Sequence, residues 1–377
     1  MRRTSRTILA LTLPLVLTAS ACGDDDGAGV RTIDGSGSAS GSASASGSDS
    51  ASGSASGSAS GQASRDLGGF VAVSDVAQHA RVALDVCDIN DLLDPDGEIG
   101  YDAIATIYAE GANSDSGDGK RTLKGFATGE REEPLWDTYV QRLGATWLDD
   151  FVTAAIEATG AFEGELDAVR RQGIQKGVQN QILVAWAFHE LDAAQARVAA
   201  GETDPAGGAP HNVDEIWAFY HGAAPGCAAY GTGEKCGADF GTGNAANEAT
   251  LAAVQDLQQA ALDGDLEAYD AAYDRFVTAV TLPYVQATIK YATNVSADLA
   301  AGDDEAARIH QAEGWAFFRV IEPLVAEVDA SVADAIAGML DLANDPDPDS
   351  ESIVTGAIEQ VYEGLGLTAG DVGEFQG

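Results

Sequence analysis

Two similar helical segments constrain this chain more than any other feature of its sequence. Both contain Glu-x-Trp-Ala-Phe followed by a second aromatic residue, at 215–220 and at 313–318. The similarity extends upstream, because Val-Gln-x-x-Ile occurs at 178–182 and again at 285–289. One loop-like insertion at 202–210 accounts for the different separations in the two copies. The sequence therefore predicts an internal duplication.

Each copy places a histidine and a glutamate on one face of its helix. His211 and Glu215 are four residues apart, and His310 and Glu313 are three apart. Residues at these spacings are neighbours on a helix. Two such pairs in two related halves can face each other across a pseudo-twofold axis. Together they form a ligand set suited to iron, with manganese or zinc as alternatives. All four residues are therefore predicted metal ligands.

Glu215 has a competing explanation as part of a helix cap. Asn212 and Glu215 fit a capping box, in which the glutamate binds the backbone amide of the cap residue. Glu313 lies in the middle of its helix, where capping does not account for it. Gly314 beside it costs about 1 kcal/mol in a helix interior, which indicates close approach of another backbone or of a ligand. Both explanations of Glu215 stay open at this stage.

A further candidate pair follows an apolar run. Residues 182–188 are apolar on all sides of their helix, and His189 and Glu190 come directly after them. A buried charged pair requires hydrogen bonds, another charge or a metal ion. His189 and Glu190 are therefore candidate ligands, with bonding to a neighbouring helix as the alternative. His79 is interpreted as an ordinary surface or core histidine.

The charge of the chain excludes nucleic acid as a partner. The net charge is −40 and the isoelectric point is near 4.1, whereas phosphate binding requires a basic surface. Most of the carboxylates are interpreted as a solvated coat that favours cations. Motifs for a serine nucleophile, a zinc protease or a phosphate-binding loop do not occur in the sequence. We therefore predict that the protein is not an enzyme.

The first 65 residues carry an export signal and a spacer. Residues 1–21 combine a basic start, an apolar stretch and small residues, as in a signal peptide. Cys22 follows Ala-Ser-Ala, which is similar to a bacterial lipobox, so lipidation of Cys22 is predicted, with cleavage and release as the alternative. Residues 22–65 are rich in glycine, serine and alanine and predict a flexible tether. The protein is expected to be exported and lipid-anchored to a membrane face, in the periplasm or at the cell surface.

Helical periodicity dominates residues 66–377, and few stretches alternate as strands do. The predicted fold class is all-α: a helical bundle built from two related halves, roughly 66–243 and 244–377, with long irregular Gly-rich loops. Pro283 is expected to break one helix, and Pro323 to kink or end another.

Two cysteines lie close together in the glycine-rich stretch that follows the first copy. In an exported protein, a pair such as Cys227 and Cys236 indicates a disulfide that closes a small ring. Cys87 is then left over, as a buried or unpaired thiol.

Five longer runs of sequence occur in an order that is characteristic of one known family. They are IYAEGANS at 107–114, RTLKGFATG at 121–129, DEIWAFYHG at 214–222, YGTGEKCGADFGT at 230–242 and EGWAFFRVIEPLV at 313–325. In these runs the chain resembles the algal iron-assimilating, low-iron-inducible periplasmic proteins and their bacterial lipoprotein relatives. The resemblance extends over most of the chain from Val71 to Leu365 and implies extracytoplasmic iron capture. The predicted ligands come from the duplication and not from the resemblance.

Three functions follow from these features. The first is a membrane-tethered protein that captures ferric or ferrous iron for an iron transporter. The second is a structural or partner-binding helical lipoprotein without a metal. The third is a di-iron oxidase, a class whose helices carry Glu-x-x-His, whereas here the histidine precedes the glutamate. The first is the predicted function.

Overall fold

The computed structural model describes residues 66–93, 97–117 and 119–377. The predicted signal peptide, the predicted lipidation of Cys22 and the predicted tether at 22–65 lie outside the described residues. Across the described ranges, no helix combines the length and the apolar character that a bilayer span requires.

Short strands and helices begin the described part of the chain. They are β1 (Asp66–Leu67), β2 (Phe70–Val71), α1 (Ala77–Ala80), α2 (Val82–Asp91), α3 (Tyr101–Glu110), β3 (Asp115–Ser116), β4 (Gly119–Lys120), α4 (Leu123–Ala127), α5 (Pro134–Leu143) and α6 (Trp147–Glu157). β1 pairs antiparallel with β2, and β3 with β4. Because each strand has only two residues, neither hairpin forms a layer of the fold.

The longest helices of the fold lie in the remaining part of the described chain. Its α-helices are α7 (Asp167–Lys176), α8 (Leu183–Ala199), α9 (Ala209–Tyr220), α10 (Ala229–Asp239), α11 (Ala245–Asp263), α12 (Leu266–Ala301), α13 (Asp304–Val328), α14 (Ala330–Leu340), α15 (Ser350–Ile358) and α16 (Ala369–Val372). The predicted all-α class is confirmed. The internal duplication is not confirmed, and the division into halves near residue 243 stays a prediction.

Large aromatic side chains fill the core between the long helices. α12 packs against α11 and α13, and α9 packs against α8 and α11. Trp217, Tyr220, Tyr269, Tyr284 and Phe317 are fully buried in these contacts. Burial of one large apolar side chain contributes about 1.5–3 kcal/mol. This packing fixes α9, the helix that carries His211 and Glu215, between two neighbours.

The stretch between α7 and α8 is a π-helical turn, Gly177–Ile182, so residues 167–199 form one continuous helix. All residues of the turn are buried. A Cβ added at Gly177 would lie 2.7 Å from Cγ2 of Val152 on α6, so α6 and the turn pack at backbone distance. π-turns inside helices occur often at functional sites, and this one precedes His189 and Glu190 on α8.

Two prolines lie inside helices, and neither ends its helix. Pro283 is in the interior of α12, and Pro323 is in the interior of α13. The predicted break at Pro283 is therefore wrong. A proline within a helix costs about 3 kcal/mol, but both residues are buried where α12 and α13 pack along each other. Tertiary packing supplies most helix stability, so it outweighs this local cost.

The disulfide joins Cys87 on α2 to Cys227 in the 3-10 turn Pro225–Cys227, with their Cα atoms 5.4 Å apart. The predicted bridge between Cys227 and Cys236 is wrong, and Cys236 is a buried free thiol. The reason is that the sequence between them is helical. Cys236 lies seven residues after Ala229, the first residue of α10. At ~1.5 Å per residue, this separation is about 10 Å along the helix axis. A disulfide requires Cα atoms within about 7 Å.

Removal of this disulfide should destabilise the protein strongly. Because it closes a long loop, Cys87→Ser should lower the free energy of unfolding by about 2–5 kcal/mol. Cys236→Ala removes only a buried thiol and should cost less, on the order of 1 kcal/mol. Denaturant unfolding measures both changes. Peptide mapping without reductant should find residues 87 and 227 in one cross-linked species, and a cross-link between 227 and 236 would contradict the assignment.

Two glycines in helices should respond in opposite directions to the same substitution. A Cβ at Gly173 on α7 would overlap the ring of Phe162, whereas a Cβ at Gly338 on α14 would meet nothing within 4 Å. We expect Gly173→Ala to destabilise by about 1–3 kcal/mol through overpacking. We expect Gly338→Ala to stabilise by up to about 1 kcal/mol through helix propensity. Thermal unfolding of the two variants distinguishes them, and equal effects would contradict the packing described.

Candidate functional site

Glu215 on α9 lies at the centre of a cluster of imidazoles and carboxyls. Its Oε1 is 3.0 Å from Nε2 of His211, one helical turn earlier, and 3.2 Å from Nε2 of His79. The Glu215 side chain is 10% exposed. A carboxylate with so little access to water requires compensation, and the two rings supply it. Both histidines direct the same ring atom at one oxygen.

His79 reaches this cluster from α1, far upstream in the sequence. Two links hold α1 and α2 against the end of α9. The backbone N–H of Ala223 donates to the carbonyl of Ala80 at 2.8 Å, and the disulfide joins Cys87 to Cys227. The position of His79 therefore depends on contacts between parts of the chain that are distant in sequence.

A hydrogen-bond relay fixes the orientation of the His211 ring. Ser74 donates its hydroxyl proton to Oδ2 of Asp214 at 2.6 Å, and its backbone N–H donates to the same oxygen at 2.7 Å. The Ser74 Oγ lies 2.8 Å from Nδ1 of His211. Because the single hydroxyl proton is used toward Asp214, Nδ1 of His211 must be the donor in this contact. Nε2 is then the ring atom left to face Glu215.

Glu190 on α8 adds a second carboxyl to the cluster. It hydrogen-bonds Glu215 and accepts from Nδ2 of Asn212 at 2.6 Å. Burial and the nearby charge of Glu215 raise the pKa of Glu190 well above its ordinary value. Glu190 is therefore the protonated member of the pair and donates to Glu215. Burial also acts to raise the pKa of Glu215, but the His211 hydrogen bond and the neighbouring imidazoles leave that pKa lowered.

The two histidines around Glu215 differ in charge state. Burial lowers the pKa of His79 to about 4, so its ring is neutral at neutral pH. The hydrogen bond to Glu215 raises the pKa of His211. Within the described residues, Nδ1 of His79 is buried and has no hydrogen-bond partner, and the same holds for Oδ1 of Asn212. The cluster thus contains polar atoms that the protein itself does not satisfy.

His189 stands at the edge of the cluster. Its Nε2 is 3.8 Å from Oε1 of Glu190 and accepts from Nε of Arg131 at 3.1 Å. Its Nδ1 lies 3.2 Å from Oε2 of Glu133. Burial and the charge of Arg131 lower the pKa of His189 to about 4. The ring nitrogen that faces Glu190 is therefore already bonded to Arg131, whose guanidinium lies 4.4 Å from the centre of the Trp186 ring.

His310 and Glu313 take different partners from each other. Oε1 of Glu313 lies 3.2 Å from Nζ of Lys176, and both side chains are fully buried. Nδ1 of His310 lies 2.5 Å from Oδ2 of Asp298. A Cβ at Gly314 would lie 3.0 Å from side-chain atoms of Leu340 and Tyr291, so the close approach there is to side chains. The structure brings His211 and Glu215 together but does not place His310 and Glu313 in the same contacts.

The side-chain atoms that face Glu215 and Glu190 already contact other protein atoms. Across residues 66–93, 97–117 and 119–377, no group of three or more His, Cys, Asp or Glu side chains is arranged as a metal shell. The separations of 3.0 and 3.2 Å around Glu215 are nevertheless close to those of donors bound to one ion. Adjacent octahedral donors at ~2.1 Å from an ion lie about 3.0 Å apart.

Sequence reasoning missed His79, which contacts Glu215 at 3.2 Å, compared with 3.0 Å for the predicted partner His211. No spacing rule connects residue 79 with residue 215. Composition carried a weak signal for the cluster, because histidine is rare in this chain. Of the five histidines, three contact Glu190 or Glu215: His79, His189 and His211. Arg131 and Glu133 were also not predicted, since their role appears only through contact with His189.

Three surface cavities lie outside the cluster around Glu215. A cavity of about 200 Å³ is lined by Ser74 and Arg81 and adjoins the relay to His211. Two grooves of about 530 and 610 Å³ run along α12 and share Thr278 and Gly366, and none of the predicted ligands lines them. Cavity size therefore does not identify the site, and the convergence of titratable groups does.

The two histidines should be distinguishable by NMR titration of the metal-free protein. His79 should stay neutral down to about pH 4, and His211 should keep its proton above its ordinary pKa of 6.5. Because folding raises the pKa of His211, its protonation stabilises the fold below about pH 6.5. That stabilisation is lost as the pH rises through the raised pKa.

Glu215→Gln removes the neighbouring negative charge and should lower the pKa of His211. Glu351→Gln, at an exposed position on α15, is the control and should change neither titration. A pKa of His211 that is insensitive to Glu215→Gln would show that the two side chains do not interact as described.

Comparison with known proteins gives one result. The family model described as low iron-inducible periplasmic protein matches residues 48–377. No curated protein and no solved structure matches the chain. The match covers all of the described residues, including the cluster around Glu215, and it confirms the resemblance seen in the sequence. The chain belongs to the low iron-inducible periplasmic protein family.

Proposed function

We propose that this protein binds iron outside the cytoplasm and makes it available for uptake, with the ion held by His79, Glu190, His211 and Glu215. The observation that carries this proposal is the convergence of two Nε2 atoms on one Glu215 oxygen, within 3.2 Å. The description of the family, low iron-inducible and periplasmic, supports an iron-related role in that location.

The residues present fit an iron ion as cargo. Two imidazoles and two carboxylates suit ferrous or ferric iron, and also manganese or zinc. Oδ1 of Asn212, which has no hydrogen-bond partner in the described part of the chain, offers a further oxygen. The relay from Asp214 through Ser74 orients His211 from behind, as outer partners of metal-binding histidines do.

Protons hold the cluster together in the metal-free protein. The raised pKa of Glu190 and the raised pKa of His211 favour a proton on each of these groups, and both groups face Glu215. An arriving ion would displace protons from the groups that become ligands. The mutual repulsion of the two carboxylates, which the protons now relieve, would then be relieved by the ion.

His189, His310 and Glu313 have other roles in this proposal. His189 would first have to release its bond from Arg131 before it joined the ligands. His310 and Glu313 are engaged by Asp298 and Lys176 and are not assigned to the ion. We therefore place one iron ion on each chain.

Membrane attachment completes the proposal. The signal peptide at 1–21 and a lipid on Cys22 would hold the protein at a membrane face, and the tether at 22–65 would let it reach an iron transporter. We propose no catalytic reaction, and the family is not known as an enzyme family.

Iron binding by variants tests the assignment. Purified wild-type protein should bind one ferrous ion per chain under argon, measured by elemental analysis after desalting. Glu215→Ala and His79→Ala each remove a ligand and should weaken binding by roughly 100-fold or more. His310→Ala is the matched control, since it removes a half-buried histidine that is paired with a carboxylate elsewhere, and it should bind normally.

Unchanged binding by Glu215→Ala would exclude this cluster as the site. Absence of bound iron in the wild-type protein would favour the alternative of a structural or partner-binding lipoprotein. Circular dichroism of each variant separates loss of ligands from loss of fold.

A further inference from the structure

The second copy of the aromatic run carries its own buried carboxylate. Glu313 precedes Trp315 and Phe317 in the order in which Glu215 precedes Trp217 and Phe219. Nζ of Lys176 lies 3.2 Å from Oε1 of Glu313, and the two side chains are 1% and 0% exposed. Lysine and glutamate are almost never buried so completely unless they are paired. An ammonium group thus lies beside this second carboxylate.

The surroundings of the Lys176 ammonium resemble those of a small bound cation. Oε1 of Gln175 accepts from Nζ at 2.6 Å, so an amide oxygen and a carboxylate oxygen converge on it. The centre of the Phe317 ring lies 5.6 Å from Nζ, a distance at which an aromatic face attracts a positive charge. Hard cations are bound by oxygen donors of these types.

The two carboxylates therefore differ in what compensates them. Glu215 faces ring nitrogens that can give up a proton and then bind an ion. Glu313 faces an ammonium group, which has three donors and no lone pair and hence does not coordinate metals. The ammonium is covalently part of the chain and does not leave.

We propose that Lys176 supplies a built-in cation at Glu313 and thereby limits the chain to one metal site. The cation role of Lys176 is independent of the proposed function, whereas the limit of one ion rests on it. Under this proposal, the first aromatic run follows a carboxylate, Glu215, that binds an exchangeable cation. The second run follows Glu313, which pairs with the permanent ammonium of Lys176.

Substitution of Lys176 by alanine tests this directly, with Mn²⁺ alone as the probe. Lys176→Ala removes the ammonium and leaves room beside Glu313 and Gln175. We expect it to bind one more Mn²⁺ per chain than wild type, counted by elemental analysis, and to melt at a higher temperature with Mn²⁺ or methylammonium than without. Lys176→Ala/Glu313→Gln lacks the carboxylate and is the control, so neither cation should affect it.

Two further variants separate this proposal from the function proposed above. Glu313→Gln should bind as much Mn²⁺ as wild type, and a loss of one ion would overturn the proposal. Glu215→Ala removes the first site, so Lys176→Ala added to it should restore one ion per chain. If wild type binds no ion and Lys176→Ala still binds one, the proposed iron-binding function is contradicted, whereas the proposed cation role of Lys176 is supported. If Lys176→Ala gains none and responds to neither cation, the proposal is overturned.

Lys176→Ala removes the ammonium beside a buried carboxylate, so the variant could fail to fold. Refolding with methylammonium chloride then replaces the melting experiment, with tetramethylammonium chloride as the control, since that cation is too large for the vacated space. Recovery with methylammonium alone supports the proposal, and recovery with both or with neither overturns it.

Discussion

Compensation of buried carboxylates is the constraint on which the interior of this protein depends. The chain has 60 acidic and 20 basic residues, and several carboxyls lie inside the bundle. Each is satisfied differently: Asp85 by backbone N–H groups of Ala112 and Asn113, Glu190 by a proton, Glu215 by imidazoles and Glu313 by an ammonium. Because an uncompensated charge in the core costs several kcal/mol, each of these buried carboxyls requires such a partner.

These solutions differ in whether the compensating group can leave. Backbone amides and a buried ammonium are permanent, whereas the protons around Glu215 and Glu190 can leave. The site is built on helices held by aromatic packing on both sides, with α9 fixed between α8 and α11. The one proposed ligand from outside this packed group, His79, is held by the disulfide and by a backbone hydrogen bond to the end of α9. The proposed ligands on α8 and α9 are therefore held by helix packing, and the one on α1 is held by cross-links between distant segments.

Sequence rules predicted features within one helix more reliably than contacts between helices. The all-α class and the contact between His211 and Glu215 follow from helical periodicity, and both appear in the structure. The break predicted at Pro283 fails because burial between α11 and α13 outweighs a local penalty. The bridge predicted between Cys227 and Cys236 fails because the residues between them are helical, which separates two thiols that are close in sequence. Similarity between the two aromatic runs did not predict their partners, because Lys176 and His79 belong to other elements.

The sequence alone determined which residues lie on one helical face, because that depends only on the helical repeat. It thereby determined the aromatic runs that pack into the core and the pairing of residue 211 with residue 215. Tertiary structure decided the contacts that join distant segments: the imidazole of His79 beside Glu215, the ammonium of Lys176 beside Glu313 and the disulfide between Cys87 and Cys227. These contacts depend on how α1, α2 and α7 pack against the later helices. No spacing in the chain encodes that packing, since it is set by the combined burial of side chains along whole helices.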